Sequence, residues 1–132
     1  MFGRRTTVDP KARQVAIQIG ASRLAMGVAI SFATQPALRA LRFGSTDATG
    51  EALAKLGGGR DLALGALTLA VRDDPAALHT AILVSSCLDL ADAISLGISA
   101  RHPETRKPGL GGVLSGGAAA AAGFWAWRRL AD

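Results

Sequence analysis

Residues 76–100 read AALHTAILVSSCLDLADAISLGISA, and the rest of the architecture follows from this stretch. It is long enough to cross a bilayer, because about 20 helical residues span the hydrocarbon core. At helical spacing its polar side chains share one narrow face, and the remaining surface is Ile, Leu, Val and Ala. That face holds Ser85, Asp89, Asp92 and Ser99. Such a stripe is typical of a membrane helix that packs its polar side against other helices. We therefore predict a membrane span from Ala76 to Ala100, begun by Pro75.

Three other apolar stretches have a similar length. They predict further spans at Gln14–Gln35, Ala52–Val71 and Gly109–Trp127. Pro36 is expected to end the first of these, because proline cannot continue a helix. Lys55 and the glycine triplet 57–59 interrupt the second, which makes it the weakest, whereas the fourth carries no charge.

The links between these stretches have loop chemistry, with Pro, Gly, Asp and basic residues at 36–51, 72–74 and 101–108. The sequence thus predicts an all-α protein, an antiparallel four-helix transmembrane bundle that forms a single membrane domain over residues 1–132. A soluble four-helix bundle is the alternative. Its helices would carry an apolar stripe opposite a broad polar face, whereas the first, third and fourth stretches show the reverse pattern.

The composition excludes several kinds of protein. The net charge is +5, but the basic residues fall between the apolar stretches and no aromatic platform accompanies them, so we expect no nucleic-acid partner. Cys87 is the only cysteine, and neither histidine has a partner at helical spacing. The sequence therefore predicts no metal and no cofactor.

Five ionisable residues lie inside the predicted spans, and we call them the charge cluster: Arg23, Arg60, Asp61, Asp89 and Asp92. A single charged side chain at the bilayer centre costs about 2.5 to 3.5 kcal/mol, so these residues are expected to face one another. The economical arrangement has Arg23, with Arg60 as a second base, bridging to the three acids. Arg60 and Asp61 are adjacent, so they are expected to point in different directions and not to pair.

The cluster has three acids and two bases, which leaves one carboxyl group in excess. Close carboxylates cannot all ionise cheaply, so at least one is expected to stay protonated. Such a group could relay protons or bind a cation. In the alternative interpretation the cluster is a buried ion-pair network that only fixes the register of the helices.

The fourth stretch carries two further features. Gly112 and Gly116 form a GxxxG pair, extended by Gly123, which would let another helix approach closely; in so glycine-rich a segment, chance composition is the alternative. The end of the stretch predicts a membrane-interface anchor, with aromatic rings at the headgroup level and arginines beyond them. The anchor consists of Trp125, Trp127, Arg128 and Arg129.

The basic residues give a preferred orientation. With cytoplasmic termini, seven of them lie inside, namely Arg4, Arg5, Lys11, Arg13, Arg72, Arg128 and Arg129. Six lie outside, namely Arg39, Arg42, Lys55, Arg101, Arg106 and Lys107. The excess and the basic flank of the first stretch favour cytoplasmic termini. The first span is too long for a signal peptide and is expected to stay uncleaved.

The segment GGGRDLALGALTLAVR, the arginine in the first span and the DLADA stretch of the third together resemble a group of uncharacterised small four-pass bacterial integral membrane proteins. This group, a domain of unknown function, shares a Gly-Ala-Arg-Asp-Leu-x-Leu-Gly core in its second helix. Here Gly59 stands where that core usually has alanine. The resemblance runs from Arg23 to Arg129. It implies that Arg60, Asp61, Asp89 and Asp92 matter to the group, but it implies no activity.

Two functional hypotheses remain. The first is a non-enzymatic accessory or interaction subunit in the bacterial inner membrane, which packs through its fourth helix against a second copy or a larger membrane complex. The second is a small proton- or cation-coupled transporter that uses the charge cluster. An enzyme acting on lipid or quinone has no nucleophile or metal motif behind it.

Overall fold

The computed structural model describes residues 8–44 and 46–131, and this part of the chain is all-α, as predicted. Four of its helices are long and one is short. They are α1 (Pro10–Phe32), α2 (Thr34–Ala40), α3 (Ala48–Ala70), α4 (Pro75–Ser99) and α5 (Arg106–Leu130), with a 3-10 turn at Pro103–Thr105. Each predicted span corresponds to one long helix. Within the described residues, α1 and α4 are the two helices long and apolar enough to cross a membrane. Arg4 and Arg5 lie outside the described residues.

The first long helix ends three residues earlier than the predicted end of the first span at Gln35. Helix α1 ends at Phe32, and Ala33 leaves the helical region with φ −131° and ψ 51°. Pro36 lies within the first turn of α2, where its missing N–H is harmless. The same ring cannot satisfy the carbonyl group of Phe32, four residues earlier, and would clash with it in a continuous helix. Pro36 therefore ends α1 upstream of itself and lies in the first turn of the next helix.

The polar link at 36–51 was also predicted wrongly, because much of it is helical. Helix α2 ends in a tight turn in which the N–H of Phe43 donates to the carbonyl of Leu38 at 2.9 Å and that of Arg42 to Arg39 at 3.0 Å. Arg42 adopts φ +67°, a left-handed conformation that glycine normally supplies at this position. Asp47 then caps α3 by accepting from the N–H of Gly50 at 2.8 Å.

Side chains at the start of α3 tie it to α2. Glu51 accepts hydrogen bonds from Lys55 at 2.8 Å and from Gln35 at 3.3 Å. The Lys55 hydrogen bond, then that of Gln35, lowers the pKa of Glu51 below its usual value. The carboxylate is therefore the stable form at this corner.

Helix α3 runs without interruption through the glycine triplet 57–59, contrary to the expected interruption. Gly58 is buried against α1, where an added Cβ would lie 2.8 Å from Ile30 Cγ2. Gly57 and Gly59 face open space. Packing against α1 compensates for the poor helix propensity of this segment.

Helices α1 and α3 form an antiparallel pair along a glycine seam. A Cβ on Gly27 would lie 2.7 Å from the carbonyl oxygen of Gly58 and from Leu62 Cα. A Cβ on Gly65 would lie 2.5 Å from the backbone nitrogen of Leu24 and 2.7 Å from the carbonyl oxygen of Gly20. Because these neighbours are backbone atoms, only glycine allows the two helices to lie this close.

Helices α4 and α5 form a second antiparallel pair with glycines at seven-residue spacing on α5. Gly109, Gly116 and Gly123 face Ala100, Ala93 and Ser86 of α4, which have the same spacing. Gly112 packs against the side chain of Leu96. The glycines predicted to let another helix approach closely, Gly112, Gly116 and Gly123, contact α4 of the same chain.

The two helix pairs meet tightly at one end of the bundle, which we call the closed end. Its buried core comes from α1, α4 and α5 and consists of Ala12, Ala16, Leu78, Ile82, Ala126 and Leu130. Residues 8 and 131 both lie there, so the two ends of the described chain share one side. At the opposite end, the open end, α1 and α5 diverge around a cavity.

The distribution of apolar side chains is inverted relative to a soluble protein. Among the described residues, fifteen large hydrophobic side chains are exposed and only four are buried. Phe32 is 82% exposed and Leu114 is 75% exposed. The interior is mostly Ala, Gly, Ser and Thr, with one fully enclosed arginine, Arg23. Exposed apolar area on this scale calls for lipid or a partner protein.

Candidate functional site

Arg23 is the centre of the charge cluster. It lies mid-way along α1 and is only 7% exposed. Its Nη1 donates to Asp61 Oδ1 on α3 at 2.5 Å, and its Nη2 donates to Asp89 Oδ1 on α4 at 2.5 Å. Nη2 also donates to the carbonyl oxygen of Ser85 at 3.0 Å. One guanidinium group therefore joins three helices, and the structure brings together the residues that the sequence expected to meet.

Arg60 and Asp92 form the second half of the cluster. Arg60 Nη1 and Nη2 donate to the two carboxylate oxygens of Asp92 at 3.1 and 2.5 Å, a forked pair between α3 and α4. Arg60 Nη2 also lies 3.7 Å from Asp61 Oδ1. The expectation that the adjacent Arg60 and Asp61 would not approach each other was wrong. The long side chain of Arg60 bends back across the helix while it reaches Asp92.

Some carboxylate oxygens of the charge cluster accept no hydrogen bond from the described residues. Asp92 uses both of its oxygens on Arg60, whereas Asp61 and Asp89 each accept only through Oδ1 among the described residues. Both Arg23 partners are largely enclosed, with side chains 19% and 15% exposed for Asp61 and Asp89. With two guanidinium groups and three carboxylates, the fully ionised cluster carries one negative charge. That charge falls on the Asp61 and Asp89 side.

A cavity of about 620 Å³ leads to the cluster from the open end. Its floor consists of the largely enclosed side chains of Arg23, Asp61 and Asp89 together with the more exposed Asp92. Apolar side chains line its walls, including Met26, Ile30, Leu96 and Phe43, and two basic residues, Arg42 and Lys107, stand at its rim. Its volume is that of a site for a small organic molecule. The site therefore has a charged floor, apolar walls and a basic rim.

Some buried polar atoms near the floor have no partner. Arg23 Nε, Arg60 Nε and Ser85 Oγ are enclosed and make no hydrogen bond within the described residues. A buried donor without a partner costs about 1 to 3 kcal/mol, so such a group marks a place for water or a ligand atom. Arg23 is the one of the three that also lines the cavity.

The predicted interface anchor lies at the closed end, where one of its residues packs against the core and the other three lie on the surface. Trp127 packs inward against the core, and its ring stacks on His79 of α4 with centroids 5.3 Å apart. Trp125 is 41% exposed. It lines a surface hollow with Phe124, Arg128 and Arg129. This surface hollow combines aromatic and basic side chains, as expected of a contact with lipid headgroups.

The two basic residues at the rim of the cavity were not predicted as part of the site. Arg42 and Lys107 were assigned to loops, and nothing in their spacing links residue 42 to residue 107. The signal available was the location of both residues at the ends of predicted spans on the same side of the bundle. Among the described residues, no set of three His, Cys, Asp or Glu side chains is arranged to hold a metal ion.

Comparison with known protein families, with curated proteins and with solved structures gives no match for this chain.

Proposed function

We propose that this chain is a four-pass integral membrane protein of the bacterial inner membrane with both termini in the cytoplasm. We further propose that it is a small carrier whose charge cluster takes up a proton or a cation from the cavity. One observation carries the proposal: the carboxyl groups of Asp61 and Asp89 line an open cavity, in a cluster where three carboxyl groups face two guanidinium groups. A purely structural network would not need an open path to its ions.

The four-pass arrangement is supported by the inverted distribution of apolar side chains. The outer surfaces of α3 and α5 carry exposed leucines such as Leu56 and Leu114, like the outer surfaces of α1 and α4. Asp61 and Arg60 of α3 pair with residues of other helices, and Lys55 pairs with Glu51 of its own helix. Pairing removes most of the cost of placing them in hydrocarbon.

Cysteine labelling tests the number of spans. In a Cys87→Ser background, Arg101→Cys places a thiol at the open end and Ala131→Cys places one at the closed end. We expect a membrane-impermeant maleimide added to intact spheroplasts to label Arg101→Cys alone, and to label Ala131→Cys only after permeabilisation. Labelling of both sites from the same side would contradict four spans.

Flux measurements in proteoliposomes test the carrier. With dyes for H⁺, Na⁺ and K⁺, the wild-type chain is expected to pass at least one of these ions faster than empty liposomes. Asp89→Asn should keep its fold and lose that flux. Asp73→Asn is the matched control, because Asp73 lies in the exposed turn before α4 and its side chain is 75% exposed. Flux of all three ions no faster than in empty liposomes would rule out a carrier of small inorganic cations.

An accessory or interaction subunit, alone or as a homo-oligomer, is the second candidate. The observation that favours it is the position of the most exposed apolar side chains, which concentrate toward the open end: Phe32, Leu53, Leu56 and Leu114. A partner protein could cover them as well as lipid. Purification in mild detergent followed by mass analysis should then yield a stoichiometric partner. A clean monomer would count against this candidate.

A further inference from the structure

We propose that the cavity binds an amphiphilic organic monocation, with its ammonium group between Asp61 and Asp89 and its apolar part against the cavity walls. This inference rests on the proposed carrier function and names its substrate class. It follows from three properties of the cavity, which are the charge of its floor, the unpaired atoms there and the chemistry of its walls.

The charge of the floor selects a monocation. Arg23 and Arg60 neutralise two of the three carboxylates through direct hydrogen bonds. One positive charge completes the balance, whereas a dication would leave an excess charge in a low-dielectric site. Asp61 and Asp89 each keep Oδ2 free of hydrogen bonds among the described residues, so an ammonium N–H could donate to both.

Arg23 supplies an independent indication that the floor is built around a missing group. It is only 7% exposed and lines the cavity, yet its Nε has no hydrogen-bond partner within the described residues. Its position is fixed by the bonds to Asp61 and Asp89, so it cannot turn to satisfy Nε without breaking them. Because Nε–H is a donor, a hydrogen-bond acceptor must fill this place, and a water molecule held beside the bound ammonium group supplies one.

The walls select an apolar body rather than a small hydrated ion. The apolar lining includes Met26 and Ile30 of α1, Leu96 of α4 and Phe43. A hydrated inorganic cation gains nothing from these side chains, whereas an alkyl chain gains about 25 cal/mol for each Å² of apolar surface removed from water. The rim bases Arg42 and Lys107 are exposed, so water and salt screen their repulsion toward a passing cation.

Three probes with one alkyl chain separate charge from hydrophobicity: decylammonium, decanol and decanoate. Binding of each is measured by radiolabel retention on the full chain in nanodiscs, with empty nanodiscs subtracted. We expect saturable binding of one decylammonium per chain and at least tenfold weaker binding of decanol and decanoate. Equal binding of decanol would identify a groove for lipid tails and overturn the inference. Preferred binding of decanoate would also overturn it, because it would show that the basic rim residues, not the acidic floor, select the ligand.

Two glycine variants locate the site without touching the charge cluster. Gly111 lines the cavity and Gly117 does not, and an added Cβ meets nothing within 4 Å at either position. We expect Gly111→Leu to weaken decylammonium binding at least tenfold, and Gly117→Leu to change it less than twofold. Equal effects of the two variants would place binding outside the cavity and overturn the inference.

The ion flux of the wild-type chain separates the two proposals. If wild-type flux is lost in Asp89→Asn but decylammonium does not bind, the substrate class is wrong and the carrier stands. If decylammonium binds as described but neither the three inorganic ions nor decylammonium cross the membrane faster than in empty liposomes, the site is correct and the carrier is wrong.

Discussion

The closed and open ends of the bundle use the same four long helices in opposite ways. At the closed end, Ala12, Ala16 and Ala126 are fully buried and the helices touch through small apolar side chains. At the open end, α1 and α5 separate and enclose a cavity with ions at its floor. We infer that tight packing at the closed end holds the bundle together, so that the open end can contain a cavity.

The two glycine seams make this division possible. Each joins two helices along much of their length, α1 to α3 and α4 to α5, so the pairs stay intact where the bundle opens. Between the pairs, the open half depends on Arg23 and Arg60, which reach across to Asp89 and Asp92. The charge cluster is therefore both the floor of the cavity and the bond between the pairs.

Removal of Arg23 should have the largest effect on this comparison. Arg23→Leu leaves three carboxyl groups and one guanidinium in an enclosed site, and breaking a buried pair in this way costs about 3 to 5 kcal/mol. We expect a large loss of stability in detergent, measured by chemical or thermal unfolding. The expected rescue is the triple variant Arg23→Leu, Asp61→Asn, Asp89→Asn, which removes the orphaned charges. Wild-type stability in Arg23→Leu alone would show that the cluster does not hold the pairs together.

A second comparison contrasts added volume at the two ends. Ala16→Leu inserts a larger side chain into the closed end, where Ala16 has 0% exposure, and overpacking of this kind costs about 1 to 3 kcal/mol. Gly111→Leu places the same side chain in the cavity and should not lower the unfolding midpoint, because an added Cβ there meets nothing and leucine favours the helix more than glycine does. If both variants lost the same stability, the open end would be as tightly packed as the closed end.

The sequence predicted the elements and the composition of the site better than the packing. The charge cluster could be predicted because buried charges must pair, and the positions of Arg23, Asp61 and Asp89 near the middle of their spans limited how they could do so. The pairing of Arg60 with Asp92, and its approach to Asp61, depends on how a long flexible side chain bends. Residue spacing does not determine that.

The glycines of α5 show what the sequence left open about the packing. The four-residue pair Gly112 and Gly116 predicted the close approach of another helix but did not identify that helix. The seam instead follows the seven-residue repeat of Gly109, Gly116 and Gly123, which matches Ser86, Ala93 and Ala100 on α4. A seven-residue repeat on two neighbouring helices is the pattern of long helices that pack side by side. The repeat was visible in the sequence, but its partner could be identified only with the helices in place.

The smallest expected effect concerns Arg42 at the rim, whose φ of +67° is a conformation that costs a non-glycine residue about 1 to 3 kcal/mol. Glycine removes that strain but adds flexibility to the unfolded chain, so Arg42→Gly should raise stability by about 1 kcal/mol. Arg39→Gly is the matched control; it lies inside α2 and should lower stability by about 1 kcal/mol. Both changes are measured by unfolding in detergent. A loss of stability in Arg42→Gly would mean that its side chain holds the turn together. A gain would show that the arginine at the mouth of the cavity lowers the stability of the fold.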